Sequence, residues 1–402
     1  MEHMNKDPKD TFRFNSLMST LAIALTSMFV SIRFDLTLVM SIGFALVAAA
    51  SVLAQCVVMM APWWARTLVE PAIGLFVGYI IILIGVAAVT LPLAFIPSMA
   101  TPELDGATIL VSLCLAAVGF KNAGRDPIVR EHVIRVPRLF PHSVESLRVA
   151  VFGDLHQSPI FPAHRVRQSL SILRNLRPDF VLCSGDLFEG SPEQLGSSVA
   201  AWEDLKSATP VYFVLGNHDH YHGFAQWKDL ITKKLGWKCV EDNMATANRD
   251  GFAISVVGTT DREHRHSEVQ REHSAGIFGP SMPKLSFSIA HHPGDLATMM
   301  ITSNANNEAK VAGPSERGLS TGEVEITPTV HVGVSGHTHA GQFWPITMIE
   351  KLIYAASGVP FFGMTRPAAN QYMIVHAGVG HVLAPYRLGS RAEIVLLRFL
   401  RE

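Results

Sequence analysis

Seven side chains of metal-ligand type, with an imidazole beside them, stand at the ends of short apolar runs between positions 154 and 339 of a 402-residue chain. Phe152-Gly-Asp-Leu-His offers Asp154 and His156, Ser184-Gly-Asp offers Asp186, and the run from Pro210 to Leu215 stops at a glycine before Asn217, His218 and Asp219. Further on, Ala290-His-His-Pro offers His291 and His292, and Ser335-Gly-His-Thr-His offers His337 and His339. Residues two apart on extended backbone point the same way, so each Asp-x-His and His-x-His pair is expected to aim both side chains into one pocket. Carboxylate, imidazole and amide oxygen without thiolate suit Mn, Fe or Zn. Two such ions about 3.5–4 Å apart can clamp a phosphoryl group and bring a bound water's pKa near 7. Taken singly, His156 or His337 could be a buried structural histidine and Asp154 or Asp186 a turn residue. Taken together they have no economical structural explanation.

The elements that must position these residues are those of an α/β domain. From about Ser146, short β-branched runs alternate with amphipathic segments. Strands are expected at Leu147 to Phe152, Phe180 to Cys183, Val211 onward, Phe252 to Val257, Lys284 to Ala290, Thr329 to Val334, Gln371 to His376 and Glu393 to Phe399. Helices are expected at Pro162 to Leu176, Ser191 to Ser207 and Phe224 to Leu235. Two polar stretches, Thr260 to Pro283 and Ser303 to Thr327, read as surface loops, with a lid as the functional alternative.

Upstream the chain changes character. Hydrophobic residues make up 48% of the whole, with mean hydropathy +0.25, too apolar for an ordinary soluble enzyme. Phe14 to Ile32, Leu36 to Ala65, Pro71 to Pro102 and Gly106 to Phe120 read as about four membrane-spanning segments, the last of them short. The chain thus divides into a basic leader (1–13), a membrane domain (14–120), a linker (121–145) and a catalytic domain (146–402). With four spans, basic residues at Lys6, Lys9 and Arg13, at Arg66 in the second connection, and from Lys121 to Arg138 are expected to place the catalytic domain on the cytoplasmic side, and three spans, without Gly106 to Phe120, would invert this. Lys+Arg 33 against Asp+Glu 34 implies no general attraction to nucleic acid. The four cysteines lack C-x-x-C spacing, and Cys56 and Cys114 read as packing residues.

With all five motif blocks in order between Ser146 and Phe399, the sequence resembles the calcineurin-like metallophosphoesterases, in the membrane-associated branch that includes bacterial proteins similar to UDP-2,3-diacylglucosamine pyrophosphatases. The resemblance implies a four-layer α/β/β/α sandwich behind the α-helical membrane domain, seated in a bacterial inner membrane. It implies that Asp154, His156 and His339 hold one ion and Asn217, His291 and His337 the other, with Asp186 bridging. His218 would donate the proton to the leaving oxygen, held by Asp219. Glu189 stands where an Asp is common and Ala340 where Gly is usual; neither removes a ligand. His220 and His222 are extra and read as surface polar residues, and Arg387 as either an anion contact or a structural ion pair.

The reading is therefore a dinuclear phosphohydrolase cleaving a phosphodiester or pyrophosphate by metal-activated hydroxide. An anchor that holds the pocket near headgroups favours a lipid-linked substrate. The alternatives are a hydrolase of soluble nucleotides and a membrane sensor that binds a phosphorylated ligand without turnover, the latter disfavoured because a pure binder needs no leaving-group acid.

Overall fold

The computed structural model describes residues 62–96, 98–99, 101–205, 209–262, 283–301 and 329–402. Phe14 to Ile32, most of Leu36 to Ala65, and most of the two polar loops lie outside the described residues.

Helix α1 (Trp63–Ala94) and helix α2 (Pro102–Ala123) are each long and apolar enough to cross a bilayer. The connection expected at Arg66 is absent: α1 runs straight through it, with Pro71 inside the helix. Arg66 gives no loop because its charge is answered one turn on, where its Nε donates to Glu70 Oε2 at 2.7 Å, both side chains being buried. Its Nη1 also donates to the carbonyl of Glu189 in the catalytic domain. Removing one partner of a buried pair leaves the other charge uncompensated. Arg66→Ala is accordingly expected to lower stability by about 3 kcal/mol, read from thermal unfolding in detergent.

The second helix lies antiparallel to α1, with the Thr90 and Thr108 hydroxyls 3.3 Å apart. The pair is fastened to the domain behind it. Tyr386 rests against Gly78 and Gly119, its hydroxyl donates to the Leu75 carbonyl at 2.9 Å, and Ile82, Val86 and Ala116 pack with Phe343 and Ala384. Cys114 is exposed on α2 rather than packed.

Two six-stranded mixed sheets form the carboxy-terminal domain. The first comprises β1 (Ile128–Val136), β2 (Arg148–Phe152), β3 (Phe180–Cys183), β4 (Val211–Phe213), β5 (Lys238–Cys239) and β12 (Glu393–Arg401), in the order β1-β12-β2-β3-β4-β5. The second comprises β6 (Met244–Arg249), β7 (Phe252–Gly258), β8 (Lys284–Ile289), β9 (Thr329–Ser335), β10 (Gly363–Thr365) and β11 (Gln371–Val375), in the order β10-β11-β9-β8-β7-β6. Alternation along β2 sends Val149 and Val151 into the space between the sheets, where they meet Phe287, Val332 and Ile374. Ala150 and Phe152 point the other way, under Val166, Leu170 and Leu173 of α3 (Ala163–Asn175) and under Trp202. Helix α4 (Phe224–Leu230) follows β4, and on the outer face of the second sheet Leu296 and Met300 of helix α5 (residues 293–301) cover Met373 and Val375. The result is the expected helix–sheet–sheet–helix layering.

The segment 121–145 is not a linker. Ile128–Val136 pairs residue for residue with Glu393–Arg401, and Arg130 bonds Glu393 at 2.7 Å. Its charges misled because an edge strand turns every second side chain to solvent. The helix expected to Ser207 is one α-turn, Pro192–Leu195, followed by 3-10 turns to Leu205.

Candidate metal centre

Parallel strands β2, β3 and β4 end side by side, and their following loops carry the candidate ligands Asp154, His156, Asp186 and Asn217. Asp154 and His156 are not extended as their spacing suggested; both are left-handed, at φ 51° and 50°, as are Asp186, His337 and His339. That region is costly for non-glycine residues and persists only where the surroundings over-determine it. Here neighbouring loops bind each other. Asp154 N–H donates to the Gly185 carbonyl at 2.9 Å and His156 N–H to the Asp186 carbonyl at 3.1 Å. The carboxylates are aimed by backbone donors too: His337 N–H lies 3.1 Å from both Asp154 oxygens, and His218 N–H 2.9 Å from Asp186 Oδ1. Gly216 and Gly336 press so closely on Asp186 and Asp154 that a Cβ at either would overlap the carboxylate.

All seven expected ligands converge. Asp154, His156 and His339 form one cluster, with the two Nε2 atoms 2.9 Å apart. In the other, His291 Nε2 lies 3.0 Å from Asn217 Oδ1, 3.1 Å from Asp186 Oδ2 and 3.2 Å from His337 Nδ1. Asp186 faces both, since its Oδ2 is also 3.6 Å from His156 Nε2. His291 Nδ1 donates to the Ser184 carbonyl at 2.9 Å, which leaves Nε2 as the lone-pair nitrogen turned inward. Lone-pair donors crowded this closely fit a pair of divalent cations. The His292 ring also packs on His337, at 4.5 Å between centroids, but its Nδ1 is taken by the backbone N–H of Gly294 at 3.0 Å.

The electrostatics suit the same purpose. Burial alone would raise Asp186, but in the cation-free protein the protonated rings of His291 and His218 overcome it and hold the carboxyl well below its usual range. Burial and neighbouring imidazoles depress His337 and His339, keeping them in the neutral form that binds cations.

One residue stands out that the motif reading left aside. Glu189 Oε1 lies 2.6 Å from both His156 Nδ1 and His218 Nδ1, and Oε2 lies 3.4 Å from His222 Nε2. Its place in Gly185-Asp-Leu-Phe-Glu was the available signal, but an acid in a loop does not say which histidines it meets. Second-layer carboxylates of this kind orient ligand rings and raise their basicity. Glu189→Gln is expected to weaken metal binding about 10- to 100-fold, measured by titration of the metal-free protein.

Asp219 does not hold His218. Its carboxylate accepts from the backbone N–H groups of Leu187, Phe188 and Gly216 at 2.9–3.0 Å, fixing the two ligand loops together. His222 belongs to the Glu189 cluster, and His220 is packed, its ring stacked on Phe224. Arg387 is buried, has no carboxylate within ion-pair distance among the described residues, and donates to the carbonyls of Ala377, Gly378 and Gly380.

A helix-flanked double sheet with clustered imidazoles and carboxylates at its strand ends defines a metallophosphoesterase domain. Residues 147–341 match the family model for calcineurin-like phosphoesterases, and the chain carries a domain of that family of metal-using hydrolases. A Bos taurus protein described as a transmembrane protein with metallophosphoesterase domain is 26% identical over 294 residues, covering 72% of this chain and 61% of that protein. The Danio rerio protein of the same description is also 26% identical, over 71% of this chain and 60% of its own length. An uncharacterised metallophosphoesterase of Campylobacter jejuni is 23% identical, over 72% and 67% respectively. The chain thus spans about three fifths of the length of the two vertebrate relatives.

Proposed function

We propose that this chain is an integral membrane phosphohydrolase that cleaves a phosphodiester or pyrophosphate at a two-ion centre. The observation that carries the reading is the convergence of Asp154, His156, Asp186, Asn217, His291, His337 and His339 on two adjoining clusters, with His218 alongside. Bound divalent ions, for which Mn, Fe and Zn are the candidates, would polarise the phosphoryl oxygen and acidify water. The chain's own residues do the rest: Asp186 spans the two positions, Glu189 fixes the rings of His156 and His218, and His218 delivers a proton to the departing oxygen.

Anchoring by α1 and α2 agrees with relatives named as transmembrane proteins, and favours a substrate whose phosphorus lies near lipid headgroups. With Arg66 inside a helix and Arg130 and Arg135 in β1, the cytoplasmic orientation at a bacterial inner membrane rests on Lys6, Lys9, Arg13, Lys121 and Arg125. A reporter fused after Phe120 reads this directly; a periplasmic signal overturns it. Purified protein with Mn²⁺ should hydrolyse bis-p-nitrophenyl phosphate, and Asn217→Ala and His337→Ala should each lose that activity. Unchanged rates in both would remove the assignment.

A further inference from the structure

Helix α6 (Ile346–Ser357) begins seven residues after His339 and buries none of its side chains fully. Met348, Ile349, Leu352 and Ile353 are each more than half exposed, Leu352 at 70%. Their spacing puts them on one helix face, and Phe362 and Met364 extend the exposed apolar surface beyond the helix. A contiguous apolar strip of this kind is unusual on a surface meant for water.

The opposite face is tied to the metal centre. Tyr354 stacks on His292 at 6.3 Å between centroids, and His292 in turn lies 4.5 Å from His337. Phe361 packs on Tyr354 at 5.5 Å, and its carbonyl accepts the hydroxyl of Thr338, the residue between the two ligands of the His-Thr-His turn.

What covers the strip is indicated by where it starts. Trp344 and Pro345, just ahead of α6, sit against Gly85 of α1, and one and two turns further along the same face of α1, Val89 and Leu93 are exposed. The apolar strip therefore continues directly into a helix able to cross a bilayer. Lys351 is exposed on the helix and Arg366 is exposed just after strand β10, whereas the helix's one acid, Glu350, is partly buried. An amphipathic helix with aliphatic residues on one side and a lysine on its polar side, continuous with a bilayer-length helix, suits a headgroup layer.

We infer that α6 lies in the lipid interface beside α1 and holds the mouth of the metal centre at the depth of headgroup phosphates, so that the site works on amphiphiles resident in the bilayer. This rests on the membrane phosphohydrolase reading and adds the surface through which the substrate arrives.

The test uses the full chain in phosphatidylcholine proteoliposomes. Leu352→Trp should add indole emission that is quenched by lipids brominated near the headgroup, beyond the quenching of the wild-type chain. Wild type should hydrolyse CDP-diacylglycerol in these vesicles at least about tenfold faster than soluble CDP-glycerol at equal bulk concentration, because the bilayer concentrates the amphiphile. The exposed pair Leu352→Glu with Ile353→Glu should erase that preference while hydrolysis of bis-p-nitrophenyl phosphate stays within about twofold. No added quenching, no preference in wild type, or a preference that survives the double substitution would each overturn the inference. A new indole shielded from aqueous acrylamide yet untouched by brominated lipid would mean a protein partner instead, and would overturn it too. Failure of wild type on bis-p-nitrophenyl phosphate, with the quenching present, would count against the hydrolase reading and leave the lipid contact standing.

Discussion

Asp186→Asn is expected to lower turnover of bis-p-nitrophenyl phosphate about a hundred- to a thousandfold, the scale seen when one preorganised electrostatic group of an active site is removed. The replacement keeps the side chain's shape and the acceptor for His218 N–H, so the loops should fold as before. What it loses is the negative charge at Oδ2, which faces His291 at 3.1 Å and His156 at 3.6 Å across the two clusters. No neighbour can replace it, because Asp154 is already committed to the His337 backbone N–H. Elemental analysis should show the metal content falling below that of wild type, with the melting temperature of the metal-free protein little changed. A variant that retained both its metal and its rate would refute the bridging role.

His218→Asn should separate chemistry from metal binding. If His218 supplies the leaving-group proton, its loss costs about 10²- to 10⁴-fold on an alkyl phosphodiester and far less on p-nitrophenyl esters, whose leaving group departs without a proton. Equal losses on both substrates would show that the ring acts by shaping the site. The same substitution has a signature in the metal-free protein. Burial would depress the imidazole, but the carboxylates of Glu189 and Asp186 lift it to about 9 from an ordinary 6.5. A raised pKa means that its stabilising contribution is complete below pH 6.5 and is lost as pH climbs toward 9. Denaturant titrations of metal-free wild type should therefore lose roughly 3 kcal/mol across that window, and His218→Asn should flatten the loss.

How far the sequence revealed this arrangement differs from residue to residue. The clustering of the candidate ligands was legible because each closes a short apolar run, and close-packed carboxylates need glycines such as Gly216 and Gly336 next to them. The strands were legible in runs like Val149 to Phe152, whose side chains serve both faces of a covered strand, whereas their stacking into two sheets was implied only by the family resemblance. The left-handed backbone at Asp154 and His156 was not legible, since it depends on the facing loop at Gly185 and Asp186. Nor was the task of Asp219, because three backbone donors from two loops are a property of the folded turn. Arg66 was misplaced through its charge alone; Glu70 four residues on was the correcting signal. The strand Ile128–Val136 was hidden by Arg130, Glu131 and Arg135, which an edge position permits.

The strand at Ile128–Val136 also decides where this protein can be cut. It covers all nine residues of Glu393–Arg401, a long apolar ribbon that would otherwise offer its amide groups to any passing chain. A fragment starting at Ser146, the natural choice for anyone wanting a water-soluble piece, would bare that ribbon and would also leave the Glu189 carbonyl without its arginine. Aggregation or a slack catalytic pocket in such a fragment would reflect the truncation and say nothing about the enzyme, so a boundary ahead of Ile128 is the minimum that keeps the sheet closed.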